Sequence, residues 1–206
     1  WIERIGNKVL MAVVDCTGHG VPGAMMSIIG KNILDQAVHE KGYTEPAEIM
    51  NFLQAGLSLS FGQTSEDKSE LYDGMDLALC NIDFDKKRVE FAGANNSLYL
   101  VRDNELHITK GNSVGITVEV EEFNGYTNSV IEIQKGDMIY MTSDGYPDQF
   151  GGPKYKKFTS KLMRELMVEI ANKSIDEQAI IIKQQHQKWK GDKDQTDDVC
   201  FLGLRI

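Results

Sequence analysis

The chain has 206 residues, 41% hydrophobic and 26% charged, a balance that supports a folded core and excludes disorder, collagen-like repeats and a disulfide scaffold. Its formal net charge of -9 disfavours a nucleic-acid partner, which would need clustered lysine and arginine. No apolar run approaches the roughly 18 residues of a membrane span and no leader-type segment opens the chain, so the expectation is one cytoplasmic domain over residues 1–206 with no direct membrane insertion.

Residues 8–15 (KVLMAVVD) are continuously apolar and β-branched, as in a buried strand. Pro22 then stands where a helix would start, and residues 25–38 (MMSIIGKNILDQAV) carry apolar side chains at three- and four-residue spacing. A second helix fits residues 45–60, with Pro46 near its start and Ile49, Met50, Leu53 and Leu57 on one face. Residues 62–70 (GQTSEDKSE) read as a polar loop.

After this loop the period changes. Residues 75–84 and 88–92 read as strands joined at a turn around 85–87, and residues 97–102 and 105–109 flank Asp103-Asn104, a pair suited to a tight hairpin. Residues 130–133 and 138–142 flank a further turn at Lys135-Gly136-Asp137. Helical patterns follow over 156–172 and 175–190, and a strand over 199–206 closes the chain. The basic run Lys154 to Lys157 reads as a solvated loop. Cys16, Cys80 and Cys200 form no C-x-x-C pair and are expected to be buried, reduced thiols. Segregated strands and helices indicate α+β rather than a doubly wound sheet. A four-layer α-β-β-α sandwich, two stacked mainly antiparallel sheets flanked by helix pairs, would bury every apolar face.

Residues 13–24 (VVDCTGHGVPGA) contain a G-x-G-x-x-G at Gly18, Gly20 and Gly23. A dinucleotide fingerprint needs a βαβ unit with an acidic residue about 20 positions on, and here one helical pattern is followed by another, so the context is wrong. Asp15, at the end of a buried strand, is the stronger signal: a carboxylate there is costly unless a cation or donor pairs with it. Asp144 follows the strand MIYM, and Asp197-Asp198 precedes the final strand. Each has a local reading as a loop cap or turn residue. Gathered at one place, Asp15, Asp144 and Asp197 would make an all-oxygen cluster suited to Mg²⁺ or Mn²⁺.

Five segments in register carry a resemblance: DCTGHGVPGAMMS, DGMDLALC, FAGANNSLYLVR, KGDMIYMTSDGYPDQFGG and QTDDVCFLGLRI. Together they resemble the SpoIIE/RsbU-like PPM family of metal-dependent serine/threonine protein phosphatases, from about residue 8 to the C-terminus. The resemblance implies the α-β-β-α sandwich and a centre of two Mn²⁺ or Mg²⁺ ions held by Asp15, the Cys16 backbone carbonyl, Asp144 and Asp197. Those three aspartates would be catalytic through metal-bound water, with two ions about 3.5–4 Å apart orienting it toward the phosphorus. The implied substrate is a phosphoserine or phosphothreonine protein, often an anti-sigma-factor antagonist in bacterial signalling, and the implied chain is the C-terminal output domain of a longer protein with an upstream sensor.

The family usually carries a further acidic residue just before the first strand, about where Trp1 begins this chain. Cys200 stands where a threonine is common. His19 reads either as a loop-anchoring histidine or as a general acid; Asp73 reads as a strand-entry residue and Asp76 as a hydrogen-bonding residue within the sheet, or either as a group near the substrate or a third cation. Asp148 reads as fixing its own loop. A second function class is a catalytically silent member that keeps the fold and binds a protein partner.

Overall fold

In the computed structural model, residues 1–18, 20–61, 74–117 and 123–206 are described. The chain divides into two compact units, residues 1–97 with 109–133 and residues 98–108 with 134–206. The polar run 62–70 lies outside the described residues.

The first unit is a sheet carrying a helix pair. Strands β1 (Ile2–Ile5), β2 (Lys8–Cys16), β3 (Gly74–Asp83), β4 (Arg88–Ala94) and β8 (Ser129–Glu132) follow one another in space, with β7 (Ile116–Thr117) beside β3. Strand β2 runs antiparallel to β3 from Lys8↔Asp83 to Cys16↔Met75. Leu10 and Ala12 join one core cluster with Leu77 and Leu79, while the alternate residues Met11, Val13, Ala78 and Cys80 are also buried. Burial of both faces explains why β2 reads as an unbroken apolar run.

Helices α1 (Gly20–His39) and α2 (Pro46–Phe61) pack on the Leu10 face. Pro22 and Pro46 sit in first turns, where a missing N–H costs no intrahelical bond. Ile49, Met50, Leu53 and Leu57 are each 0% exposed and contribute about 1.5–3 kcal/mol apiece by leaving water. The helices meet closely at Gly56, where an added Cβ would lie 3.0 Å from Ile33 Cδ1.

The second unit builds a smaller sheet in the order β12 (Phe201–Arg205), β9 (Met138–Thr142), β5 (Ser97–Arg102), β6 (Glu105–Lys110). Asp103 and Asn104 both have positive φ, 51° and 63°, as the two central residues of a type I′ hairpin require. Helix α4 (Ser160–Ile170) places Met163, Leu166, Met167 and Ile170 in a cluster with Tyr140, and Ile181, Ile182 and Trp189 of α5 (Ile175–Lys190) pack against it. A capping box opens α5: the Ser174 N–H donates to Glu177 Oε2 at 2.9 Å, and the Glu177 N–H donates to Ser174 Oγ at 3.3 Å. No helix among the described residues is long and apolar enough to cross a membrane.

Several local readings are corrected. The helical pattern over 156–172 begins only at Ser160, because Lys156–Lys157 form β11, antiparallel to β10 (Phe150–Gly151). The cause is tertiary: the Phe158 and Thr159 N–H groups donate to Gln149 O and Pro147 O at 2.9 and 2.7 Å, and Thr159 then caps α4. Residues 145–148 form a short helix, α3 (Gly145–Asp148), directly after Asp144. The final strand starts at Phe201, leaving Cys200 exposed; Cys16, at the end of β2, is half-buried, and of the three thiols only Cys80 is fully buried.

Asp137 ties the second unit together. Its carboxylate accepts from Arg102 Nε at 2.8 Å, from the other arm of the guanidinium at 2.6 Å and from the Gln134 N–H at 2.9 Å. Its carbonyl accepts from the Ile206 N–H at 3.0 Å. Burial, the largest influence, raises its pKa, but the Arg102 bonds, the Gln134 N–H and the charges of Arg102 and His107 outweigh burial and hold the carboxyl below its ordinary value. A lowered carboxyl stabilises the fold above the unfolded value of about 3.9, and the contribution is lost as pH falls through the folded value. With the Asp137 side chain 1% and Arg102 30% exposed, Asp137→Ala is expected to cost about 3 kcal/mol in urea unfolding at neutral pH. The deficit against wild type should shrink below about pH 4; equal midpoints at neutral pH would contradict the assignment.

Candidate functional site

In the first unit, β2 ends on Asp15 and Cys16, and Asp15 is the direct cross-strand partner of Asp76 on β3. Like charges opposite one another on neighbouring strands repel, so this pair calls for donors or a cation. Asn95 supplies one donor, its Nδ2 lying 2.8 Å from Asp76 Oδ1. Asn95 adopts a positive φ of 59° at the end of β4, anchored by its N–H to Asn112 O at 2.8 Å. Gly115 leaves room for the pair, since a Cβ there would lie 3.0 Å from Asp76 Oδ1. Asp76 therefore hydrogen-bonds beside the sheet and also faces Asp15.

The glycines of the following loop have conformational roles. Gly18 takes a φ of +91°, and a Cβ on Gly23 would sit 2.8 Å from Gly18 O, so the first turn of α1 can close onto the loop only with glycine there. Ser27 Oγ donates to Cys16 Sγ at 3.4 Å. Burial pushes the Cys16 thiol above its usual value, the Ser27 bond opposes this, and the Asp15 charge adds to the rise. A thiol so placed is protonated at neutral pH and is a poor nucleophile.

In the second unit the backbone gathers Asp144 and Asp197. Both carboxylates are exposed, and the segments bearing them are latched by the buried Ser143. Its N–H donates to Cys200 O at 3.0 Å, its hydroxyl donates to Asp198 O at 3.1 Å, and that hydroxyl accepts from the Cys200 N–H at 3.0 Å. Gly145 completes the approach: an added Cβ would meet Asp198 O at 2.2 Å and the Asp197 carbonyl carbon at 3.3 Å. Asp197 folds back on its own loop, Oδ1 accepting from the Asp198 N–H at 2.7 Å. Asp148 pairs with Lys157 at 2.6 Å and stays with its own hairpin. His19 and Asp73 lie outside the described residues.

The donor set is thus carboxylate and carbonyl oxygen, the chemistry of hard divalent cations. Among the described residues, the group of three whose ligand atoms lie within 4.8 Å of one another is Glu3, Asp35 and His39, not a set of the aspartates above. There the Asp35 carboxylate already accepts from Trp1 Nε1 at 2.8 Å and pairs with Lys31, and His39 lies 3.6 Å from Glu3. Sequence reasoning passed over Asn95 and Ser143, although an asparagine at a strand end is a known bearer of positive φ. Gly145→Ala should force Asp198 away from the Asp144 turn and cost about 1–3 kcal/mol in urea unfolding; an unchanged midpoint would mean that the two segments are not in contact.

The family described as Stage II sporulation protein E (SpoIIE) matches residues 5–206. Among curated proteins no sequence matches. Among solved structures, the SiaA-PP2C domain of Pseudomonas aeruginosa is 28% identical at a TM-score of 0.90, with 100% of this chain and 79% of that one covered. The PP2C phosphatase domain with a regulatory fragment of SpoIIE from Bacillus subtilis is 19% identical at a TM-score of 0.76, covering 100% of this chain and 56% of that one. RsbX, solved in complex with magnesium, is 13% identical at a TM-score of 0.62, with 98% and 83% covered. The α+β fold is that of the PPM phosphatases, and the chain belongs to the SpoIIE family.

Proposed function

We propose that this chain is a metal-dependent protein serine/threonine phosphatase, its two units acting as one domain. Asp15 with the Cys16 carbonyl, and Asp144 with Asp197, would hold two Mn²⁺ or Mg²⁺ ions. The observation that carries the reading is the gathering of oxygen donors at strand ends: Asp15 opposite Asp76, and the Asp144 turn against the Asp197 loop. Membership of the SpoIIE family and the magnesium complex of RsbX support it. When bound, such ions would supply the acidified water and the positive charge that phosphate-ester hydrolysis needs.

The residues of the chain have separate tasks. Asp144 and Asp197 are exposed, so a phosphoryl group on the surface of another protein can reach them without entering a deep cleft. Asn95 holds Asp76 turned beside Asp15 and limits the repulsion between them. Ser143 and Gly145 fix the spacing of the Asp144 and Asp197 segments. No cysteine is placed as a nucleophile, consistent with direct attack by water. The substrate in this reading is a phosphoserine or phosphothreonine protein of a bacterial signalling pathway, such as an anti-sigma-factor antagonist.

Asp15→Asn and Asp144→Asn should each lower Mn²⁺-dependent hydrolysis of p-nitrophenyl phosphate by more than about 100-fold, because even groups that only orient metal ligands cost about 10–100-fold when removed. Turnover equal to wild type in either variant would contradict the mechanism. Mn²⁺ binding by calorimetry with no hydrolysis of p-nitrophenyl phosphate or any phosphoprotein would assign the chain to the silent, partner-binding class instead.

A further inference from the structure

The second unit carries a lysine cluster that the proposed chemistry does not use. The hairpin β10–β11 bears Lys154, Lys156 and Lys157, and the end of α5 with the loop after it bears Lys188, Lys190 and Lys193. Between them lies an open groove of about 750 Å³ lined by Gly151, Gly152, Tyr155, Lys188, Trp189 and Lys193. The acidic groups on and beside these elements are Asp148, Asp192, which lines the groove, Asp194, Asp197 and Asp198, five against the six lysines. Only Lys157 is ion-paired, to Asp148; among the described residues the other five lysines form no salt bridge. For a chain with a net charge of -9, this is a local reversal of sign.

The cluster is built on a fixed frame. Trp189 Nε1 donates to Gln149 O at 3.1 Å and Lys156 O at 3.2 Å, and the Gly152 N–H donates to Trp189 O at 2.8 Å. Only glycine fits at 151, where a Cβ would lie 1.9 Å from Trp189 O. Lys193 Nζ stands 5.6 Å from the centre of the Tyr155 ring, which is 59% exposed. The helix dipole accounts for lysines in the last turn of α5, but not for those on the hairpin or at 193.

The same frame reaches the candidate metal ligands. Gln149, 0% exposed, donates to Asp194 O at 3.0 Å and accepts from the Thr196 N–H at 3.1 Å. The lysine groove is therefore hydrogen-bonded to the loop that ends in Asp197, within one unit. We infer that this groove is a docking surface for an acidic segment of the phosphoprotein substrate, beside the phosphorylated residue. The inference rests on the phosphatase reading for its place in the reaction, while the binding itself rests on charge complementarity and the exposed Tyr155. It favours substrates whose phosphosite is flanked by glutamate or aspartate, and the attraction weakens with salt.

The test uses the full chain and two fluorescein-labelled peptides, one rich in glutamate and one with glutamine in its place, each made with and without a central phosphoserine. Anisotropy on the unphosphorylated pair should show binding of the glutamate peptide at least tenfold tighter than the glutamine peptide, with the gap closing between roughly 50 and 300 mM salt. Lys156→Glu/Lys188→Glu/Lys193→Glu should abolish the preference, and arginine at the same positions should retain it. In Mn²⁺ assays the glutamate triple variant should raise KM for the acidic phosphopeptide at least tenfold, leaving kcat and p-nitrophenyl phosphate turnover unchanged. Equal binding of the two peptides by wild type, or a preference that survives in the triple variant, overturns the proposal. Tighter binding of single-stranded RNA or phosphatidylserine vesicles than of the acidic peptide also overturns it. Lysine-dependent peptide binding by a chain that hydrolyses nothing supports the surface and rejects the phosphatase reading.

Discussion

The structure depends on keeping carboxylates close to one another at the ends of strands. Asp15 faces Asp76 across β2 and β3, and the Asp144 turn lies against Asp197–Asp198. The Asp15–Asp76 arrangement does not stabilise an isolated chain, because like charges across a ladder repel. Each is held by short-range groups with no charge of their own: Asn95 at Asp76, and Ser143 with Gly145 at the aspartate loop. Such a geometry makes physical sense when a cation completes it, since metal binding adds folding free energy to a site that is otherwise costly.

The remainder of the fold supplies rigidity to those ends. Strand β2 pairs residue by residue with β3 from Lys8↔Asp83 to Cys16↔Met75, which sets Asp15 opposite Asp76. In the second unit, Asp137 gathers the β5 end, the turn before β9 and the C-terminus. Gln149 and Trp189 then fasten the β10–β11 hairpin to α5 and to the loop preceding Asp197. The chain thus places polar anchors where strands end and apolar contacts along their lengths.

Much of this was legible in the chain. The β2 run, both first-turn prolines, the Asp103-Asn104 hairpin and the stripe Ile49, Met50, Leu53 and Leu57 follow from local rules of period and turn chemistry. The aspartates stand out because strand ends after apolar runs are unusual places for acids. What escaped notice depends on distant partners. Residues 156–159 looked like the start of a helix because their extended shape is imposed by Trp189 and Gln149, distant in sequence or outside the periodic run. Asn95 and Ser143 are ordinary loop residues until the strands that bring Asp76 and Asp198 to them are paired, and the solvated lysine run gained meaning only once α5 lay alongside it.

The central claim is that the strand-end aspartates of this chain hold divalent cations. Anomalous diffraction at the manganese edge from crystals grown with Mn²⁺ tests it most directly. The account predicts manganese within about 2.0–2.4 Å of an Asp15 oxygen, and manganese at the same distance from an oxygen of Asp144 or Asp197. Manganese found only at Glu3, Asp35 and His39, or at none of these aspartates, would contradict it.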